Sequence, residues 1–345
     1  MMLIYYIMMI TSTMIAMTAT SWLSMWMMLE INLMSFVPIL FFGSNKKTNF
    51  LFKYFIVQNI SSATFLTSII LLWTSELMNI NNLINFNMFN FIMTLSMIMK
   101  MGLVPMHMWY IEVLMYISWM NIFLMSTWQK IIPLMIISYM HNNMTMNISI
   151  MLSCLLSSIQ GMSQLNLRKI MAFSSMNHSS WMMINSTMSL YLMFIYMIIY
   201  SMISYNIIYM FNINNVSYLH EIYFMNNYNS TYKLFLFYNI LSMAGLPPFL
   251  GFMIKLMSIK FLILNNMFLI TSMLMISSLL SLIFYLRMMY SSLILISSKS
   301  KIKLLNFNMF NYLNKNLMLN LNKLMFMFSM MNFITMINLI IFNFY

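Results

Sequence analysis

The chain has 345 residues, of which 62% are hydrophobic and only 6% charged, with 16 Lys and Arg against 4 acids, all Glu. Soluble domains carry about 25% charged residues, so a surface wetted all round is excluded. A transmembrane β-barrel alternates polar and apolar residues along each strand, which the long unbroken apolar runs here do not; what remains is an all-α polytopic membrane protein.

Runs of about 20 apolar residues, the length that crosses a bilayer as a helix, predict about eleven transmembrane helices. In chain order they fall near 1–19, 22–42, 50–73, 84–108, 115–139, 145–164, 169–187, 188–210, 231–260, 266–290 and 324–344. With the N-terminus inside, the inner ends carry Lys46, Lys47, Lys53, Arg168, Lys169, Lys233, Arg287, Lys299, Lys301, Lys303, Lys315 and Lys323, and the outer ends only Lys260. This is the positive-inside asymmetry of membrane topology. It accounts for the net charge of +12 without nucleic acid as a partner. Between the tenth and eleventh spans, the basic stretch KSKIKLLNFNMFNYLNKN reads either as an amphipathic helix on the membrane surface or as a long loop.

No cofactor is expected on the chain. The lone Cys154 cannot form an internal disulfide, an iron–sulfur cluster or a zinc site, each of which needs several ligands. Five glycines leave no glycine-rich phosphate cradle. The first basic residue is Lys46, so neither the basic start of a signal peptide nor an Arg-rich transit peptide is read at the N-terminus. The 52 methionines read as core filling, and their excess is what a code reading AUA as methionine produces, as in animal mitochondria.

Charges inside the spans carry the functional signal. Lys100, Lys130, Lys255 and Glu30 lie within apolar runs, whereas Glu76, Glu112 and Glu221 fall in predicted loops. A charge at the bilayer centre costs about 2.5–3.5 kcal/mol on insertion scales. Three readings compete: snorkelling to the interface, which suits Lys53 best and Lys255 in part; a static Glu30–Lys100 ion pair holding helices together; and proton handling. A buried lysine holds its proton less firmly, and a carboxylate that approaches or retreats changes that hold. A row of such groups joined by water, His and hydroxyls makes a relay. His178, in the middle of SSMNHSSWM, is a candidate member, and so is His107, seven residues after Lys100. His141 and His220 read as loop residues, and Trp and Tyr as interfacial anchors or core.

Two spans carry helix breakers. The fourth reads KMGLVPMHMW, with Gly102 and Pro105 after Lys100, and the ninth AGLPPFLGFMIK, with Gly245, Pro247, Pro248 and Gly251 before Lys255. Proline removes a helix donor and clashes with the preceding turn, so both helices break within the membrane. Such backbone is tolerated only where protein or a wet cavity surrounds it. The two broken spans are five apart and run in opposite senses, which suggests two inverted five-helix halves, 1–140 and 141–290, followed by a basic segment and final span over 291–345. Broken helices so placed point to an ion site in secondary transporters.

Taken in order, WMMLEINLMSFVP, KMGLVPMHMWYIEV, TWQKIIP, SSMNHSSWM and AGLPPFLGFMIK resemble the subunit 2 family of mitochondrial NADH:ubiquinone oxidoreductases, and the composition resembles insect members. That resemblance implies an antiporter-like fold related to Mrp-type cation/proton antiporters, and a subunit of the membrane arm of respiratory complex I. It implies that Glu30 pairs with Lys100, that Lys130 is the central lysine of a hydrophilic axis, that His178 lies on that axis, and that Lys255 stands on its exit side. NAD, FMN, iron–sulfur clusters and ubiquinone are then expected on partner subunits, with other membrane-arm and supernumerary subunits and phospholipids as neighbours in the mitochondrial inner membrane. The rival readings are a stand-alone Mrp-like cation/proton antiporter and a purely structural membrane subunit.

Overall fold

The computed structural model describes residues 2–43, 49–77, 83–140, 144–224, 230–247 and 249–293. The eleventh predicted span, the basic stretch before it, Lys46, Lys47, His141 and Pro248 lie outside these residues. Fourteen α-helices are present among the described residues. They are α1 (Met2–Thr18), α2 (Trp22–Phe42), α3 (Asn49–Leu77), α4 (Leu83–Met101), α5 (Met108–Tyr116), α6 (Trp119–Ser126), α7 (Ile131–Ser138), α8 (Met144–Ser163), α9 (Leu167–Met188), α10 (Leu190–Ile213), α11 (Glu221–Phe224), α12 (Ser230–Ala244), α13 (Leu250–Leu264) and α14 (Phe268–Leu293).

Six stretches among the described residues are long and apolar enough to cross a membrane: Trp22–Phe42, Asn49–Thr74, Trp119–Ser138, Met144–Ser163, Leu190–Ile213 and Phe268–Tyr290. Large apolar side chains face outward on the outer helices, among them Leu3 and Met14 of α1, Ile198 of α10, and Leu279 and Ile283 of α14. Water would penalise such a surface and lipid does not, so the chain is a multi-pass membrane protein.

The helix at the centre is the polar one. From Ile170 to Ser186 every residue of α9 is buried, although the run includes Ser174, Ser175, Asn177, His178, Ser179 and Ser180. A helix buried on all sides is usually apolar all round. Here the serine hydroxyls are satisfied locally, with Ser174 donating to Met171 O, Ser179 to Met176 O and Ser180 to Asn177 O, the back-bonding open to short hydroxyl side chains. Helices α5, α7, α8, α10 and α13 pack around α9.

Two arginines tie helix ends together at one face of the bundle. Arg168, at the start of α9, donates to Met115 O near the end of α5 at 2.7 Å, and its guanidinium lies 5.5 Å from the Trp119 ring. Arg287, near the end of α14, donates to Met162 O at 2.6 Å and to Gln164 O, where α8 ends. The last carbonyls of a helix have no partner within it and carry its negative dipole end, so a cation there is favoured. At the same face, Lys53 of α3 pairs with Glu112. Glu112 is therefore not the loop residue its sequence position suggested: it lies on α5, the continuation of the fourth span beyond the break. Both side chains are about half exposed (57% and 52%), so solvent screens the pair and it adds little to stability.

The α8–α9 and α10–α11 connections meet here as well, through Leu167 N–H to Ser217 O and Leu219 N–H to Leu165 O, both 2.9 Å. Glu221 closes the second loop by accepting from the backbone N–H groups of Ser217 (2.5 Å) and Tyr218 (3.2 Å). Burial acts to raise its carboxyl, but those N–H bonds outweigh burial and hold it below the usual carboxylate range. A depressed carboxylate stabilises the fold above its unfolded value, about 4.3 for Glu, and that contribution is lost as pH falls through the folded value. Glu221→Gln is expected to reduce hydrogen-exchange protection of the Ser217 and Tyr218 amides about five-fold, the scale of one hydrogen bond. Unchanged protection at neutral pH would show that the carboxylate does not hold the loop.

Candidate functional site

Both predicted breaks are present and share one local design. Helix α4 ends at Met101; Gly102 takes φ +67°, and the next N–H, of Leu103, reaches back to Ile98 O at 3.1 Å. Helix α12 ends at Ala244; Gly245 takes φ +79°, and Leu246 N–H reaches back to Leu241 O at 3.3 Å. This left-handed closure ties up otherwise orphaned carbonyls and suits glycine. After Gly102 the chain runs outside any helix to His107, so His107 does not lie two helical turns beyond Lys100 as its seven-residue spacing suggested. Its ring is buried, with Nδ1 3.3 Å from Pro105 O.

A third interruption was not anticipated. The fifth span is divided into α6 and α7 by a 3-10 turn, Trp128–Lys130. Pro133 in α7 has no N–H for the carbonyl four residues earlier, that of Gln129, and this was the available signal. Lys130 sits in the turn.

The three intramembrane lysines are all buried, with relative exposures of 8% for Lys100, 2% for Lys130 and 6% for Lys255. They do not snorkel. Lys100 and Lys130 line one cavity of about 20 Å³ with Asn32, Gln58, Tyr110 and Gln129, and a polar space of that size holds a water molecule. Gln58 donates to Lys100 O at 3.3 Å and Gln129 to Asn32 Oδ1 at 3.2 Å, bringing α2, α3, α4 and the 3-10 turn together around it.

From Lys130 the polar groups continue along α9. Lys130 Nζ donates to Ser175 O at 3.0 Å and lies 5.0 Å from the centre of the Tyr110 ring. One helical turn on, at 6% exposure, His178 Nδ1 is 2.9 Å from Tyr196 Oη and Nε2 is 3.5 Å from Tyr285 Oη. The imidazole is within electrostatic reach of both Lys130 and Lys255. A second cavity, about 10 Å³, is bounded by His178, Tyr196, Tyr200, Ser242 and Gly251. Beyond it, Lys255 Nζ donates to Ala244 O at 3.0 Å, at the C-terminal end of α12, where the helix dipole favours a cation.

Glu30 is half-buried on α2. The one ion pair with N···O within 4.0 Å among the described residues is Lys53–Glu112, so Glu30 and Lys100 are not in direct contact as an ion pair. The acceptors that touch Lys130 and Lys255 are backbone carbonyls, Ser175 O within α9 and Ala244 O at the end of α12. Sequence reasoning missed Tyr110, Ser175, Tyr196 and Tyr285 as members of this cluster. A signal was present on α10, where Tyr196 and Tyr200 stand four apart on one face; none pointed to Tyr110 or Tyr285.

The fold and this buried axis define an antiporter-like membrane subunit. Residues 19–281 match the family described as NADH:quinone oxidoreductase/Mrp antiporter, transmembrane. The sequence is 38% identical over 318 residues to NADH-ubiquinone oxidoreductase chain 2 of Anopheles gambiae, covering 90% of each chain. It is 37% identical over 340 residues to the Aedes aegypti protein of the same name, covering 98% of this chain and 96% of that one. Two solved structures share the fold at low identity. A chain of respiratory complex I from Thermus thermophilus superimposes with TM-score 0.75 at 16% identity, over 83% of this chain and 69% of that chain. A chain of an archaeal membrane-bound sulfane sulfur reductase gives 0.77 at 13% identity, over 98% and 73%. The chain belongs to the NADH-ubiquinone oxidoreductase chain 2 family.

Proposed function

We propose that the chain is a core membrane-arm subunit of respiratory NADH:ubiquinone oxidoreductase that translocates protons in response to electron transfer on partner subunits. It works in the mitochondrial inner membrane with its N-terminus on the matrix side. Eleven spans form two inverted five-helix halves, 1–140 with a broken helix near 100–105 and 141–290 with one near 245–251, and 291–345 supplies the last span. NAD, FMN, iron–sulfur clusters and ubiquinone belong to partner subunits, and the neighbours of this chain are other subunits of the complex and phospholipids.

The observation that carries this reading is the burial of Lys100, Lys130 and Lys255 along one line of polar groups, with room for water between the first two. Each lysine can take a proton as an ammonium or release it as an amine. Glu30 sets the first: its carboxylate favours the ammonium of Lys100, and a shift of charge at the Glu30 end alters that hold. Losing or gaining the Lys100 charge changes the field at Lys130, its neighbour across the cavity. From Lys130 the proton passes by the hydroxyls and imidazole of the α9 cluster to Lys255, whose ammonium the end of α12 supports.

Glu30→Gln is nearly isosteric and removes the charge that controls Lys100. In the assembled complex it is expected to lower coupled NADH:quinone turnover several-fold with little change in assembly. Normal assembly together with normal turnover would remove Glu30 from the relay.

A further inference from the structure

We propose that Tyr110 is the positioning residue that holds the Lys130 ammonium and ties it to the first broken helix; this rests on the proton-relay reading above. Tyr110 is almost fully buried, at 1% exposure, in the first turn of α5. It meets Lys130 in two ways. The ring faces the ammonium, with its centre 5.0 Å from Nζ, within the range of a cation–π contact. The hydroxyl lies 2.6 Å from Ser175 Oγ, on the residue whose carbonyl accepts from Lys130 Nζ at 3.0 Å. The direction of the hydroxyl bond follows from bookkeeping of protons: Ser175 already donates to Ala172 O at 2.8 Å, so its oxygen accepts and Tyr110 donates. Lysine, serine and tyrosine thus close a ring of three contacts.

The other side of Tyr110 rests on the break. A Cβ on Gly102 would stand 2.5 Å from Tyr110 Cβ and 2.8 Å from its ring carbon Cγ, nearer than packed atoms approach. Gly102, the left-handed glycine two residues after Lys100 that ends α4, is therefore also what lets Tyr110 reach Lys130. Any rearrangement of this break when Lys100 changes charge moves the ring that steadies the next ammonium. Tyr110 also lines the cavity shared by the two lysines. Its place is a coupling joint between them.

The test uses the assembled complex and compares Tyr110→Leu, Tyr110→Phe, Ser175→Ala and the Tyr110→Phe/Ser175→Ala double variant, with Lys130→Met alongside. Tyr110→Leu removes both contacts and is expected to lower coupled turnover per assembled complex about five-fold, the scale a desolvated cation–π contact supports. Tyr110→Phe keeps the ring and is expected to recover most of that loss. Because Tyr110→Phe and Ser175→Ala break the same bond, the double variant is expected to match either single one. A Tyr110→Leu complex with normal turnover overturns the proposal, and so does a Phe variant as impaired as Leu. If Tyr110→Leu fails to assemble, Tyr110→Met takes its place, and normal turnover of that assembled variant overturns the proposal. Should Lys130→Met also turn over normally, it is the relay reading that fails.

Discussion

Lys130→Met is expected to leave the complex assembled in near-normal amount while cutting its coupled NADH:quinone turnover roughly ten-fold or more, the scale of losing a positioned proton-transfer group. The two parts of that result have separate causes. Methionine is unbranched and fills the space of the lysine stem, and exchanging a buried charge for an apolar group of similar volume is often neutral or stabilising. Ser175 O, the acceptor it leaves behind, lies within α9 and keeps its helix donor. The fold therefore tolerates the change. The relay does not, because Lys130 is the only lysine that both lines the Lys100 cavity and touches the α9 cluster, among the described residues. Quantifying assembled complex on native gels alongside activity separates the two effects. A variant that fails to assemble would instead mark Lys130 as a packing residue.

Gly251→Ala is expected to be the most damaging of the glycine substitutions. A Cβ there would lie 1.8 Å from Ser242 O and 2.9 Å from the Ser242 carbonyl carbon. These are backbone atoms of α12 and cannot swing aside, so α12 and α13 would have to separate. Overpacking costs about 1–3 kcal/mol and occasionally more, and this contact belongs at the upper end. The displacement falls where it matters, since Lys255 on α13 donates to Ala244 O on α12 and Gly251 borders the cavity beside His178. The control is Gly161→Ala, whose added carbon would meet the Phe284 ring at 3.2 Å, a contact a few tenths of an ångström of movement relieves. Thermal stability of the purified complex and its turnover should both fall further for Gly251→Ala than for Gly161→Ala. Equal effects would contradict the role given to this helix contact.

The sequence showed where charge enters the membrane and where two helices stop. Gly102 with Pro105, and Gly245 with Pro247, announce breaks because glycine and proline act on the backbone locally. The burial of three lysines follows from the apolar residues on either side of each. What joins them was not legible, since Tyr110 meets Ser175 across 65 positions and Tyr285 meets His178 across 107. No pattern of local spacing encodes such pairs. The central position of α9 was hidden for a related reason: its serines and asparagine look like a weak span until the helices around it are in place. Glu112 was misplaced because the break carries the fourth span further than its hydropathy suggests. Arg168 and Arg287 were legible as charges on one side, but not as caps on the ends of α5 and α8.

Protons moved per electron pair, measured in sealed vesicles containing the assembled complex at matched electron flux, test the account most directly. The prediction is a lower ratio for Lys130→Met than for the unaltered chain. An unchanged ratio in a fully assembled variant would mean that protons do not pass through this buried axis.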